Sequence, residues 1–403
     1  MGKGLRGIAM PLLLMMAMAV AAVTPGCGWK NNPGSGSAVE PSQAAVTAPP
    51  RPVTIVLAAT GDVLIHDSMI AAGREADGSY RFEHFFANIK PYIQAADVAV
   101  ADFEGTMAGA ERGYSGYPLF SCPDAMATAL ADTGFDVITV AGNHILDKGA
   151  AGAMQTVNRL EENGIVPVGA FRSAEERSRI AIRDVRGVKL AFLAYTYGTN
   201  GIPIPQDKPW LVNLLDEQAL EREVAEARSL GADFVVASLH MGDEYQRQPS
   251  AFQKEWVDRA VKAGVDVVLG SHPHVLQPFE KRKAGEKDVF VVYSLGNFIS
   301  AQKGRYRDAG AILYIPLEKG TDGSGKAYTR IGDIRYAPVW TDRYNRRGRQ
   351  DYRALPVADA LRDWREKADP LLTADDAAML QQAWADTTGH LGPGYVESVE
   401  GLR

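Results

Sequence analysis

Two histidines, His272 and His274, stand either side of Pro273 in the stretch GSHPHVLQP. The chain holds seven histidines, and four of them, His144, His240, His272 and His274, fall in polar clusters that each end a short apolar, β-branched run. Clusters of the same kind carry Asp62 in TGD, Glu104 in DFEG, Asn143 in GNH and Asn297 in GNF. Imidazole and carboxylate together suit zinc, manganese or iron, and a shared carboxylate holds two ions a few ångströms apart. Glu104 is the natural bridge. Asn143 would add a neutral carbonyl oxygen that keeps the ions electrophilic. His144, adjacent but pointing elsewhere, suits an acid that protonates a leaving group. The fixed φ of Pro273 would stiffen its turn and present both flanking imidazoles to one side. The expectation is a centre for two divalent ions.

Taken singly, each residue has a plainer reading. Asp62 could cap a helix, Asn143 could serve a turn, His240 could be a core histidine, and the histidine pair could be a polar loop. Asp147 could cap the helix that follows it. Joint occurrence on one set of strand ends is what points to metal. His66, four residues after Asp62, is a candidate support for the ligands or contact for substrate, as are Asp243, Glu244 and Tyr245 just past His240, and Asn297. Gly61 is expected to permit a tight turn before Asp62.

The runs that must position these residues are VTIVLAA, VAVA, VITVA, FVVASL, VDVVLG and FVVYSL. Continuous apolar runs of this length suit strands buried on both faces. Between them lie amphipathic stretches such as LDEQALEREVAEARSLG and FQKEWVDRAVKAG, which end at glycine as helices commonly do. The pattern predicts an α/β protein with helices on both sides of a largely central sheet, whose strand-end loops converge on one edge. Residues 110–120 and 196–210 are long Gly/Pro/aromatic loops that wall a groove there or simply connect elements. Beyond Leu317 the sequence reads as a hairpin, a strand and two polar helices.

A net charge of −6 argues against a nucleic-acid partner, which would favour a basic face. The N-terminus, with Lys3 and Arg6 before an apolar run and then small residues, has the layout of a secretory signal. Cys27 in TPGC is a candidate for acylation; simple cleavage and retention as an anchor are the alternatives. Pro11 and Pro25 shorten the apolar run below the roughly 20 residues of a membrane span. The working domain is thus expected outside the cytoplasm, attached to the membrane or secreted. Cys122 is the one other cysteine, so no intrachain disulfide is expected in the mature chain if Cys27 is acylated or removed. The expected organisation is a signal over 1–27, a flexible Gly/Pro/Ser-rich linker over 28–52, a main domain over 53–317 and a C-terminal strand and helical extension over 318–403.

The motifs TGDVLIH, DFEG, AGNHILDKG, HMGDEY, GSHPHVLQP and YSLGNF, in this order, resemble the CapA family of capsule-synthesis or poly-γ-glutamate biosynthesis proteins, itself similar to calcineurin-like metallophosphoesterases. The resemblance spans about residues 53–316. It implies a four-layer α/β sandwich with two metal ions, held by Asp62, Glu104, Asn143, His240, His272 and His274, with His144 as the acid. It also implies an anionic polymer such as poly-γ-glutamate as partner, together with membrane capsule-synthase subunits. The chain departs from the phosphoesterase pattern twice. No Asp-x-His follows the first strand, where His66 is the nearest histidine, and Glu104 stands where an aspartate usually bridges. A metal-dependent hydrolase, a non-catalytic polymer-binding or export component, and a phosphoesterase are therefore the three expectations.

Overall fold

β-Branched residues pack well on a pleated surface, and the apolar runs become strands for that reason. The computed structural model describes residues 51–346 and 348–402; the expected signal segment, Cys27 and nearly all of the 28–52 linker lie outside them. β1 (Val53–Leu64), β2 (Val98–Phe103), β3 (Val137–Thr139) and β4 (Val166–Val168) pair in parallel, in that order. The chain then builds a second sheet from β5 (Ala181–Val185), β6 (Val188–Thr196), β7 (Phe234–His240), β8 (Val267–Ser271), β9 (Phe279–Ala284) and β10 (Lys287–Val292), ordered β5-β6-β7-β8-β10-β9. It returns to the first sheet through β11 (Asn297–Ser300), parallel to β1, and β12 (Ala309–Thr321), antiparallel to β1. β13 (Ala327–Ile331), β14 (Arg335–Arg346) and β15 (Arg349–Pro356) complete its nine strands.

Two sheets thus replace the single central sheet that the apolar runs suggest. A strand buried on both faces has the same composition whether its second face meets helices or another sheet. Ile55, Leu57, Val98 and Val100 of the first sheet pack with Leu190, Phe192, Val236 and Phe290 of the second, in one core between them. The alternate residues Ala58, Ala99 and Ile138 face the other way, against Met126, Leu130, Val157 and Leu160 of the helices Ala125–Thr133 and Gly149–Glu162. On the far side Val235, Ala237 and Leu239 of β7 pack on Leu220, Val224, Trp256 and Val257 of Glu217–Ser229 and Ala251–Ala263. The layers run helix, sheet, sheet, helix.

The stretch FQKEWVDRAVKAG is helical because Ser250 and Gln253 cap its start reciprocally and Gly264, at φ 101°, ends it in the left-handed region. The helices Val357–Glu366 and Ala374–Leu391 bury Val357, Leu380 and Ala383 against Trp340 of β14 and Leu355 of β15. Leu317 lies inside β12, so the residues after it continue the sheet that carries β1.

Candidate metal centre

Asp62 lies within β1, level with Asp102 of β2 and Asn297 of β11. The register of β1 shifts on either side of it, and such bulges re-aim a side chain. Gly61 belongs to this irregular strand rather than to a turn. A Cβ on it would stand 1.8 Å from the Gly296 carbonyl oxygen, so only glycine lets β1 approach the loop before β11. The Asp62 amide donates to that same oxygen at 2.9 Å. Glu104 follows β2 directly, Asn143 and His144 lie in the turn beyond β3, and His240 ends β7. His240 pairs in register with Ser271, the last residue of β8, and His272 and His274 come next.

Three groups of potential ligand atoms, each within 4.8 Å of one another, overlap here: Glu104, His240 and His272; Asp62, Glu104 and His274; and Glu244, His272 and His274. Glu104 belongs to two of them, the position a bridge would take. Its carboxylate oxygens lie 3.7 Å from His274 Nδ1, 3.9 Å from His240 Nε2 and 3.8 Å from His144 Nε2. Asn143 Oδ1 is 2.7 Å from His240 Nε2. His272 and His274, with ring centroids 6.0 Å apart, share the group that contains Glu244, and each also belongs to one of the two groups that contain Glu104. Both adopt left-handed φ, 94° and 59°, a conformation that costs a non-glycine residue about 1–3 kcal/mol and clusters at functional sites.

Other residues hold these ligands in orientation. Asp102 Oδ2 lies 3.0 Å from His240 Nδ1, which Ser271 Oγ also meets at 3.1 Å, and this turns Nε2 toward Glu104. Asp62 Oδ2 and Asn297 Oδ1 lie 3.0 and 3.1 Å from His274 Nδ1. Asp147 is not the cap of the helix that follows, whose N-cap is Lys148. His144 Nδ1 donates to its Oδ2 at 2.7 Å, and the Phe120 amide donates to the same oxygen at 2.6 Å. The Phe120 ring stands edge-on to His144, centroids 4.7 Å apart. From the 196–210 loop, Asn200 accepts from Asn143 Nδ2 at 3.1 Å and lies 3.4 Å from His144 Nε2. Tyr197 stacks obliquely on His272 at 4.8 Å and Tyr245 on His274 at 6.0 Å.

The structure does not bring every candidate into the cluster. His66 turns Nδ1 toward the Leu64 carbonyl oxygen at 3.3 Å and its ring toward Phe120, outside all three ligand groups. Asp243 is exposed. Asp102 has a sequence signal, its spacing of two from Glu104, that places both on one side of the strand end. Asn200 has none, because only the return of its loop over the turn beyond β3 brings it in.

Burial raises the Glu104 pKa, against the pull of His274 and His240. Burial opposes charge on His274 too, but Glu104 and Asp62 override it and push its pKa up to about 9. His240 is raised likewise, burial being outweighed by Asp102. Burial, with His240 and His274 nearby, pushes His272 down to about 2. The neighbouring carboxylates thus favour a proton on His240 and His274, whereas burial disfavours one on His272.

The residues fit divalent ions on a separate observation. Asp62 Oδ1, Glu104 Oε2 and His272 Nδ1 are buried with no hydrogen-bond partner among the described residues. Orphaned buried acceptors are costly, and all three belong to residues of the overlapping ligand groups, where a cation would satisfy them. The oxygen and imidazole donor set suits zinc, manganese or iron.

A two-sheet α/β fold with a histidine–carboxylate cluster at its strand ends is the class of protein defined here. Residues 56–302 match the family described as bacterial capsule synthesis protein PGA_cap, and the chain belongs to that family. Capsule biosynthesis protein CapA of Bacillus anthracis is 29% identical over 257 residues, covering 62% of this chain and 61% of that protein. PGA biosynthesis protein CapA of Bacillus subtilis (strain 168) is 27% identical over 266 residues, 64% of this chain and 68% of that one. The match thus spans about three-fifths of the Bacillus anthracis relative. Among solved structures, an NAD nucleotidase of Haemophilus influenzae aligns with a TM-score of 0.46 at 13% identity, covering 87% of this chain and 66% of that one. A calcineurin-like phosphoesterase of Bacillus subtilis aligns at 0.39 and 14% identity, covering 84% and 99%.

Proposed function

We propose that this protein works at the cell surface in capsule biosynthesis, acting on a poly-γ-glutamate-type polymer through a two-ion, hydrolase-type site. The observation that carries the reading is the sharing of Glu104 between two groups of potential ligands, each of which also holds a buried acceptor with no hydrogen-bond partner among the described residues. Asp62, Glu104 and His274 would hold one ion, and Glu104, His240 and His272 the other, with Asn143 beside the second. When bound, such ions supply Lewis-acid polarisation and activate water.

The chain's own groups do the rest. Asp102 and Asn297 orient His240 and His274. Asp147 fixes His144 through Nδ1, which leaves Nε2 to hold a proton for a leaving group. Phe120 and Asn200 cover the ring and keep it from bulk water. The His144–Asp147 pair favours hydrolysis over a purely polymer-holding role, because a passive carboxylate clamp needs no oriented imidazole. The substrate class comes from the names of the relatives, and the surface location from the signal-like N-terminus with its acylatable Cys27.

The test is elemental analysis of the protein and of a variant carrying His272→Ala and His274→Ala, followed by turnover of γ-linked glutamate polymers and phosphodiesters. About two ions per chain, lost in the variant, with polymer cleavage support the reading. Metal without any cleavage favours the export component, and cleavage of phosphodiesters alone favours the phosphoesterase.

A further inference from the structure

Beside the cluster stands an arginine whose guanidinium has no ion pair or hydrogen bond among the described residues. Arg307 is half-buried, and its guanidinium lies over the ring of Tyr245, 5.1 Å from the centroid. Tyr245 is itself 43% exposed and its ring is 6.0 Å from that of His274. The Arg307 backbone is tied to the cluster, since Asn297, which meets His274, donates to its carbonyl oxygen at 2.7 Å. Gly304 leaves room for the side chain, because a Cβ there would stand 2.6 Å from an Arg307 nitrogen.

Neighbouring arginines are all engaged. Arg305 pairs with Asp386, Arg346 with Asp351, and Arg353 with Asp342 and Asp369, while Arg343 donates to the Gln302 carbonyl oxygen. Among the described residues, the Arg307 guanidinium alone of this set has neither an ion pair nor a hydrogen bond. A guanidinium offers five donors in a planar fork that matches a carboxylate, and stacking on an aromatic ring orders that fork in advance.

We propose that Arg307, stacked on Tyr245, is the carboxylate-recognition subsite beside the ligand cluster and selects an anionic substrate. This rests on the reading of the cluster as a site for a γ-linked glutamate polymer. The free α-carboxylate of one residue would meet the Arg307 fork while the adjacent linkage lies over His274. Glu244, exposed and sharing the ligand group of His272 and His274, bars a second carboxylate from that side unless a cation covers it.

The test uses the full chain with its metal, a synthetic γ-linked glutamate oligomer, and the same oligomer with its α-carboxylates methyl-esterified. Calorimetric titration should show wild type preferring the acid by about 10- to 100-fold, the range of a hydrogen-bonded charge pair. Arg307→Met should lose that preference at unchanged metal content, and Arg307→Lys should keep only part of it, having no planar fork. If Arg307→Met discriminates as wild type does, the subsite is wrong while the reading of the cluster stands. If metal-loaded wild type binds neither oligomer, that reading and the subsite fall together.

Discussion

Glu104→Gln separates a metal bridge from a structural carboxylate without needing to know the substrate. The side chain is 1% exposed, and one of its oxygens has no hydrogen-bond partner among the described residues. Its buried charge costs several kcal/mol in desolvation, which attraction to His274 and His240 offsets. Glutamine removes both effects, and each histidine keeps another carboxylate at 3.0 Å, Asp62 or Asp102. Metal-free stability should therefore change by no more than about 1–2 kcal/mol. Metal binding should change far more, because two ligand groups share the residue. At free metal 100 times its Kd, wild type gains about 2.7 kcal/mol, whereas a site weakened about 100-fold gains only ~0.4. For a folded unit of this size that is a rise in melting temperature of about 4 °C against under ~1 °C. Thermal melts with EDTA and with added zinc or manganese, alongside metal analysis, measure both. An equal metal-induced rise in the two proteins, or a collapse of the variant in EDTA, refutes the bridging role.

Three further outcomes are expected. Asp147→Asn should leave metal content intact and lower turnover by about 10²- to 10⁴-fold, the usual worth of an oriented acid; kcat beside metal content decides, and lost metal would reassign Asp147 to ligand support. Gly61→Ala drives a methyl group into the Gly296 carbonyl and should cost at least about 1–3 kcal/mol in chemical denaturation. In EDTA, His274, raised from 6.5 to about 9, contributes stability that is full below pH 6.5 and is lost as pH rises through 9. His272, lowered to about 2, contributes stability that is full above 6.5 and is lost as pH falls toward 2. The two together place the metal-free optimum near pH 6.5, which urea midpoints measured across pH would reveal.

Most of the candidate cluster was legible because its residues end apolar runs, and the ends of parallel strands must gather at one edge. The runs in VTIVLAATGD and FVVASLH specify buried strands and carry Asp62 and His240 with them. A continuous apolar run could not say whether the second face of β1 meets a helix or β6 and β7, because a methyl group packs equally well on either. The bulge at Asp62 was equally illegible: Gly61 is required by a backbone 235 residues away in sequence, at Gly296.

Sequence by itself determined which chemistry is available: imidazoles, carboxylates and one amide, attached to strands whose apolar composition forces burial. Tertiary structure alone decided the partnerships. Asp102 was given to His240, Asn200 to the turn beyond β3, and Glu104 to the groups of both His272 and His274. The Arg307 guanidinium was left without an ion pair or hydrogen bond among the described residues, beside Tyr245. Each of these is a contact between separate elements or loops, set by where the two sheets and their loops come to rest. Local propensity encodes strands and turns, but hydrogen-bond geometry to a few tenths of an ångström exists only once the layers have packed.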